Sequence, residues 1–275
     1  MKYDTLIVDG PYLSHRSFCA PFHLTTKSGL DSTMMHTFMA SLKTLKTKFE
    51  PNEIIFTWES HGTPSWRRAI LPTYKPSKDR VEPFIQQIKD LQMLLYLLGY
   101  KQWYSPSNEA DDVIATLSKG IDKLKLIFTV DKDIMQVINP LVHIYTGKEI
   151  MVESKVKDKY GVYPHQIPDL LAIMGDSADN IDGIKGYGPK KALEVLKKYG
   201  FIEKISNDDP INVHRVKLLL NKRLTQLNKS ATLEEITFDT KTTINDILDK
   251  YELKKIKENI KDYKLEEKTS LNSFF

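Results

Sequence analysis

Three short apolar runs that each lead to a carboxylate, with amphipathic stretches between them, set the strongest limit on how this chain folds. Leu6-Ile7-Val8 runs into Asp9, Ile54-Ile55-Phe56 is followed by Glu59, and the run 124–130 ends at Asp131. Runs of this length and composition read as buried strands. Met35, Phe38, Leu42 and Leu45 recur at helical spacing, which predicts a helix over 32–48 that Pro51 stops. Phe84, Ile88, Leu91, Leu95 and Leu98 mark a second helix, Asn108 is placed to cap a third through 110–119, and Val142–Tyr145 reads as a fourth strand. Strands alternating with helices specify an α/β layer fold with a mainly parallel sheet. Residues 60–83, rich in Pro, Gly and charge, have no clean period and read as an excursion from the core. From Pro164 onward the pattern predicts helices and loops.

Composition narrows the class. Of 275 residues, 41% are hydrophobic and 28% charged, the balance of a globular chain and not of a disordered one. No apolar run is long enough to span a membrane, and Asp4 and Asp9 interrupt the first one, so no secretory signal is expected. Cys19 is the only cysteine, which excludes an intrachain disulfide or a Cys-based zinc site and points to the reducing cytoplasm. Residues 1–182 carry 21 Lys/Arg against 22 Asp/Glu, and 183–275 carry 19 against 14. Inside the near-neutral part, Arg67, Arg68, Lys75, Lys78 and Arg80 face only Asp79. Acids that hold metals beside bases that hold phosphate would suit a nuclease, although solvated faces give a similar balance.

The carboxylates fall where an open parallel sheet binds its ligands, beyond the carboxyl ends of the strands. Asp9, Glu59, Asp131 and Asp133 follow strands, and Glu109-Ala-Asp111-Asp112 opens a helix, where the macrodipole tolerates negative charge. Asp176 and Asp179, three apart in Gly-Asp-Ser-Ala-Asp-Asn, are spaced to share a helical face. Nine acids in one crevice raise each other's pKa unless cations compensate. All-oxygen ligand sets select Mg²⁺ or Mn²⁺. Two such ions roughly 4 Å apart clamp the attacking and leaving oxygens of a phosphodiester displacement. The seven histidines are scattered and offer no rival site.

Gly183-Ile-Lys185-Gly186-Tyr-Gly188-Pro-Lys190-Lys191-Ala is the most specific local signal. Its glycines permit a tight turn, Pro189 suits a first helical position, and free N–H groups there can bind a DNA phosphate without reading sequence. With Ala192, Leu193, Val195 and Leu196 following at helical spacing, it reads as a helix–hairpin–helix over 183–199. Pro-Lys after Gly188 excludes a Walker loop.

In order and spacing, these motifs resemble the 5′-nuclease, or flap endonuclease, family, which includes bacteriophage 5′-exonucleases and the 5′-nuclease domain of bacterial DNA polymerase I. The matching segments are Ile-Val-Asp9-Gly, Pro64-Ser-Trp-Arg67 leading to Tyr74-Lys75, Glu109-Ala-Asp-Asp112, Val130-Asp-Lys-Asp133 with Gln136, and Gly175-Asp-Ser-Ala-Asp-Asn-Ile181. The resemblance implies a PIN-like nuclease core over 1–163 with a helical arch at about 66–82. It also implies a helical DNA-binding region over 164–265, followed by a tail over 266–275. The implied activity is 5′-3′ exonuclease and flap endonuclease action on branched duplex DNA, and RNA–DNA hybrid is a further potential substrate. Asp9, Glu59, Glu109 and Asp111 match the ligands of one metal, and Asp111, Asp131, Asp133 and Asp179 those of a second. Asp112 and Asp176 match outer supports acting through water. Lys75 matches the lysine acting on the scissile phosphate and Lys78 a second basic arch position, while Arg67, Tyr74 and Arg80 are expected to face DNA. The family hairpin also commonly holds K⁺. Glu59 stands where the family usually has Asp, Asp182 where it usually has Pro, and Tyr187 and Lys191 replace smaller residues.

Two other readings share parts of this pattern: a PIN-type single-strand ribonuclease, which needs neither arch nor hairpin, and an idle DNA-binding replication factor, which would not need the acids. The final residues Lys268 to Phe275 place Leu271, Phe274 and Phe275 on one side of a helical turn. They resemble a sliding-clamp-binding tail, except that Lys268 stands where Gln is usual. A monomer is expected.

Overall fold

The computed structural model describes residues 2–60, 62–75, 81–120 and 123–264. Strand β1 (Thr5–Asp9) leads directly into helix α1 (Gly10–Phe18), with Asp9 as its N-cap and Pro11 in its first turn, where a missing N–H costs nothing. The Gly-Pro pair therefore opens a helix directly at the end of β1. Helix α2 (Thr33–Phe49), strand β2 (Glu53–Thr57), the single turn α3 (Arg67–Ile70) and helix α4 (Glu82–Leu97) follow. Next come β3 (Lys101–Tyr104), α5 (Ala110–Leu117), β4 (Lys125–Phe128), β5 (Val142–Tyr145) and β6 (Ile150–Met151).

The sheet order is β6-β5-β4-β1-β2-β3 with a last strand, β9 (Glu234–Glu235), on the β3 edge. The five inner strands are parallel, and the two edge strands are antiparallel. The chain winds outward from β1 through β2 to β3, then returns to lay β4 on the other flank of β1. That reversal opens a crevice beyond the carboxyl ends of β1 and β4, the position where such sheets bind ligands. Strands β3, β9 and the other two-residue strands leave no clear periodicity in the sequence because each is short, and β3 (Lys-Gln-Trp-Tyr) carries polar residues.

Burial explains the continuous apolar runs. Every residue of β1 is buried: Leu6 and Val8 pack with α2 and α4 on one face, and Ile7 joins Ile127 and Ile144 on the other. A parallel sheet covered on both faces needs apolar residues at successive positions. The second face is covered by α5 and by α7 (Ile167–Met174), α8 (Pro189–Tyr199) and α9 (Arg215–Thr225); α6 (Glu153–Tyr160) adds Val156. The first face is closed by α10 (Ile244–Lys250), α11 (Lys254–Glu258) and the link between them, which contribute Ile247, Leu248, Tyr251, Leu253 and Ile256. The apolar cluster on the second face crosses position 163/164 without a break, since Met151 and Val162 share it with Ile167 and Leu170.

Between α7 and α8, the tiny hairpin of β7 (Gly175–Asp176) and β8 (Ile181–Asp182) replaces the helical face expected for Asp176 and Asp179. Gly175 stops α7 at φ +83°, and a Cβ there would lie 2.4 Å from the Gly183 nitrogen. A Cβ on Gly183 would lie 2.2 Å from the Met174 carbonyl oxygen. This backbone crossing turns the two aspartates toward the crevice. Among the described residues of the expected arch, only α3 is helical before α4 begins at Glu82. Lys78 and Arg80 lie outside the described residues.

Candidate metal centre and cleft

The crevice is built from strand ends upward. Asp9 is 4% exposed, and its carboxylate accepts the Tyr12 N–H at 3.0 Å and the Thr129 hydroxyl at 2.7 Å. The second bond joins the ends of β1 and β4 at the switch point. Burial, opposed by these bonds and reinforced by Asp131 and Glu59, pushes Asp9 up to about 6. Asp131 receives the Asp133 N–H at 2.8 Å, which fixes the turn after β4. Burial and then the charge of Asp131 push Asp111 well above the ordinary carboxylate range.

A second group lies alongside. One carboxylate oxygen each from Asp133, Asp176 and Asp179 fall within 4.8 Å of one another. Burial, followed by the charges of Asp131, Asp176 and Asp179, pushes Asp133 up to about 8. Asp133 Oδ1 is buried with no hydrogen-bond partner. An orphaned anionic oxygen inside a cluster of acids is costly unless a cation meets it. The all-oxygen donor set therefore fits a hard divalent ion.

Helix α5 is capped by Glu109, not by Asn108; Asn108 bonds Ser105 and Pro106 instead. Successive residues at a helix start point in different directions, and this separates Asp111 from Asp112. Asp111 is half-buried and interacts with Asp131, Asp9 and Lys75. Asp112 is 0% exposed, and its oxygens take Arg67 Nη1 at 2.7 Å, Arg67 Nη2 at 2.8 Å and the Asn228 N–H at 2.8 Å. Its oxygens are taken up by these groups. It holds Arg67, which in turn donates to Glu109 at 2.9 Å.

Two residues expected to face DNA are buried instead. Arg67 is 1% exposed and also donates to the carbonyl oxygens of Leu224 and Gln226, so it ties α5 to the end of α9. Burial opposes its charge, but Asp112 and Glu109 hold the guanidinium firmly protonated. Tyr74 is 2% exposed, too enclosed to stack on a base, and its hydroxyl meets Glu109 Oε2 at 2.9 Å and Asp179 Oδ2 at 2.8 Å. A phenol has one proton to donate, and ionised carboxylates only accept. Its single O–H is shared between these two acceptors, while burial pushes the Asp179 carboxyl above the ordinary carboxylate range.

Lys75 sits above both groups. Its backbone is left-handed at φ +43°, held by its N–H bond to the Asp179 carbonyl at 3.0 Å and by Arg68, which donates to its carbonyl at 2.7 Å. The ammonium reaches Glu109 at 3.0 Å while the side chain stays 41% exposed. Burial disfavours that charge, but Asp111, Glu109 and Asp179 keep it protonated. The cleft has a volume of about 890 Å³, and Glu59, Lys75, Glu109, Asp131, Asp133 and Asp179 line its floor.

The glycine-rich turn lies on the surface. Lys185, Gly186, Gly188, Lys190 and Lys191 are exposed, and α8 opens at Pro189 with Gly188 as its N-cap. Gly183 does not share this position: it is held against Met174 in the backbone crossing. Leu271, Phe274 and Phe275 lie outside the described residues.

A carboxylate-lined crevice at the switch point of a parallel sheet, with a lysine on its rim, defines a metal-dependent phosphodiesterase. The chain belongs to the 5′-3′ exonuclease family. Residues 4–161 match the family model of the N-terminal resolvase-like domain, and 162–268 match that of the C-terminal SAM fold. A 5′-3′ exonuclease of Aquifex aeolicus is 35% identical over 206 residues, 72% of this chain and 71% of its own length. Thermostable DNA polymerase I of Thermus thermophilus is 32% identical over 245 residues, 86% of this chain but 29% of that longer protein. Among solved structures, a bacteriophage T5 flap endonuclease in a pseudo-enzyme–product complex with DNA and metal ions superposes with a TM-score of 0.68. It shares 19% identity and covers 94% of this chain and 98% of its own. That likeness establishes the common fold.

Proposed function

We propose that this chain is a structure-specific 5′-nuclease that cleaves phosphodiesters near the 5′ ends or flaps of branched duplex DNA with two divalent ions, Mg²⁺ foremost. The observation that carries this reading is the Asp133–Asp176–Asp179 carboxylate group with its orphaned Asp133 Oδ1, beside the buried acids Asp9 and Asp111 that interact with Asp131. Asp9, Glu59, Glu109 and Asp111 would hold one ion, and Asp111, Asp131, Asp133 and Asp179 the other, with Asp176 in support. When bound, such ions supply Lewis acidity to the phosphate and an activated water. Lys75, charged and partly exposed above both groups, would neutralise the scissile phosphate. The N–H groups at the start of α8, with Lys185, Lys190 and Lys191, would hold a duplex phosphate elsewhere on the surface.

The deciding experiment incubates 5′-flap, 5′-recessed and single-stranded RNA oligonucleotides with the protein, with and without Mg²⁺. Metal-dependent cleavage near the flap junction is expected. Cleavage of single-stranded RNA alone would make this a PIN-type ribonuclease, and binding without cleavage an idle DNA-binding factor. Asp133→Asn should abolish cleavage with flap binding retained, and Lys75→Ala should slow single-turnover cleavage far more than it weakens binding. A K⁺ ion at the hairpin is tested by the K⁺ dependence of duplex affinity. For Leu271, Phe274 and Phe275 the reading is a sliding-clamp peptide. Deleting 268–275 should then remove clamp stimulation and leave cleavage of short oligonucleotides unchanged. Action in the cytoplasm as a monomer completes the reading; among the described residues no helix is long and apolar enough to cross a membrane.

A further inference from the structure

The second carboxylate group contains a cation supplied by the chain itself. Lys132 stands between Asp131 and Asp133, and its ammonium lies 2.8 Å from Asp176 Oδ2. The turn that carries it is fixed, because the Asp131 N–H bonds the Thr129 hydroxyl at 3.2 Å and the Asp133 N–H bonds Asp131 at 2.8 Å. The side chain is 43% exposed and leans over the rim, while the Asp176 side chain beneath it is 2% exposed. The other Asp176 oxygen is occupied by the Ala178 N–H at 3.0 Å. Each acid of the group thus has a different condition. Asp133 keeps an orphaned oxygen, Asp179 meets the Tyr74 hydroxyl, and Asp176 is neutralised by Lys132.

An ammonium and a hard dication compete for the same carboxylate charge. We infer that Lys132 sets the divalent-ion affinity of the Asp133–Asp176–Asp179 group by acting as its resident counter-ion, keeping that site weaker than it would be without it. This rests on the reading of the group as a metal site. Lys75 plays a different part, since it stands on a strained segment above the cleft where substrate can reach it. Lys132 stands on a rigid turn and pairs with a buried acid, so its effect falls on the ion and not on the phosphate.

The test measures Mn²⁺ binding to the full chain without DNA, by titration calorimetry and by the electron paramagnetic resonance signal of free Mn²⁺. The wild type, Asp133→Asn, Lys132→Met, Lys132→Gln and Lys132→Arg are compared at one ionic strength. The ion whose binding Asp133→Asn removes identifies the site. For that ion, Lys132→Met and Lys132→Gln should tighten Kd by roughly fivefold, the worth of one modest ion pair. Lys132→Arg should keep the wild-type value, and the other ion should be unaffected. Unchanged or weaker binding in both neutral variants, with two ions still bound by the wild type, would overturn the inference and make Lys132 a support that orients Asp176. Fewer than two Mn²⁺ ions on the wild type would overturn the metal reading itself, a separately visible result.

Discussion

Asp111 and Asp112 are neighbours with opposite fates, and the difference decides what each does. At the first turn of α5 one carboxylate meets the crevice, while the other is enclosed with Arg67. The Glu-x-Asp-Asp spacing is legible in the sequence as an acidic site, but which acid turns inward depends on Arg67, more than forty positions away in the chain. The expectation that Arg67 and Tyr74 face DNA fails for the same reason, because charge and aromaticity in a polar segment say nothing about what that segment packs upon. Arg67→Ala leaves Asp112 buried and unpaired, so it should destabilise folding by about 3–5 kcal/mol, measured by urea unfolding. The crevice also imposes a pH dependence. Asp9 and Asp133 titrate at about 6 and about 8 in the folded, metal-free protein, above their unfolded value of about 3.9. The folded state therefore binds more protons across that interval, and stability falls as pH rises from about 4 towards about 8, levelling off above it. In EDTA the melting temperature should drop between pH 5.5 and pH 8.5, Asp133→Asn should flatten the drop, and Mg²⁺ should restore more stability at the higher pH. A melting temperature that rises with pH in EDTA would contradict burial and neighbouring charge as the source of these raised values.

At the scale of elements, the helices with clear apolar periodicity are legible to within a few residues, as α2 and α4 show. The elements that escape are those whose conformation is set by a partner: β9 exists only because β3 offers an edge, and β7–β8 because two glycines cross. The glycines of one motif accordingly do two separate jobs. Gly183→Ala meets the Met174 carbonyl and should disrupt the hairpin that carries Asp176 and Asp179, lowering both stability and Mn²⁺ binding. At Gly188 nothing lies within 4 Å of an added Cβ and φ is −74°, so Gly188→Ala should leave unfolding within about 0.5 kcal/mol of wild type. If the start of α8 grips a phosphate, that same variant should weaken duplex binding measured by fluorescence anisotropy. Unchanged affinity would move the duplex contact away from Gly188.

At the scale of the molecule, the family's C-terminal region divides its contacts between both faces of the sheet. Helices α7–α9 complete the second face beneath the aspartate hairpin, whereas α10 and α11 return to the first face, where α10 lies against α4 and the residues after α11 meet Lys43 and Lys46 of α2. Tyr251 donates to Asp90 on α4, Tyr100 donates to the Tyr263 carbonyl at 2.6 Å, and the Lys27 N–H bonds Glu252 at 2.8 Å. This return closes the core and also fixes α4, which begins beside the cleft at Phe84, a residue in contact with Phe18 of α1. A chain ending at Asp239 loses Ile247, Leu248, Tyr251, Leu253, Ile256 and Tyr263 from one cluster. At roughly 1.5–3 kcal/mol per buried side chain, the contacts removed rival the 5–15 kcal/mol that stabilises a typical domain, offset in part by the entropy the deleted segment regains. The truncated chain should therefore bind a hydrophobic dye, lose its cooperative melt and lose flap cleavage, although every proposed metal ligand remains. Deleting only 268–275 should leave the melt unchanged, because the described residues that close the first face are all retained. A chain ending at Asp239 that melted cooperatively within a few degrees of the full protein would show that the nuclease face is self-sufficient and that α10 and α11 serve another purpose.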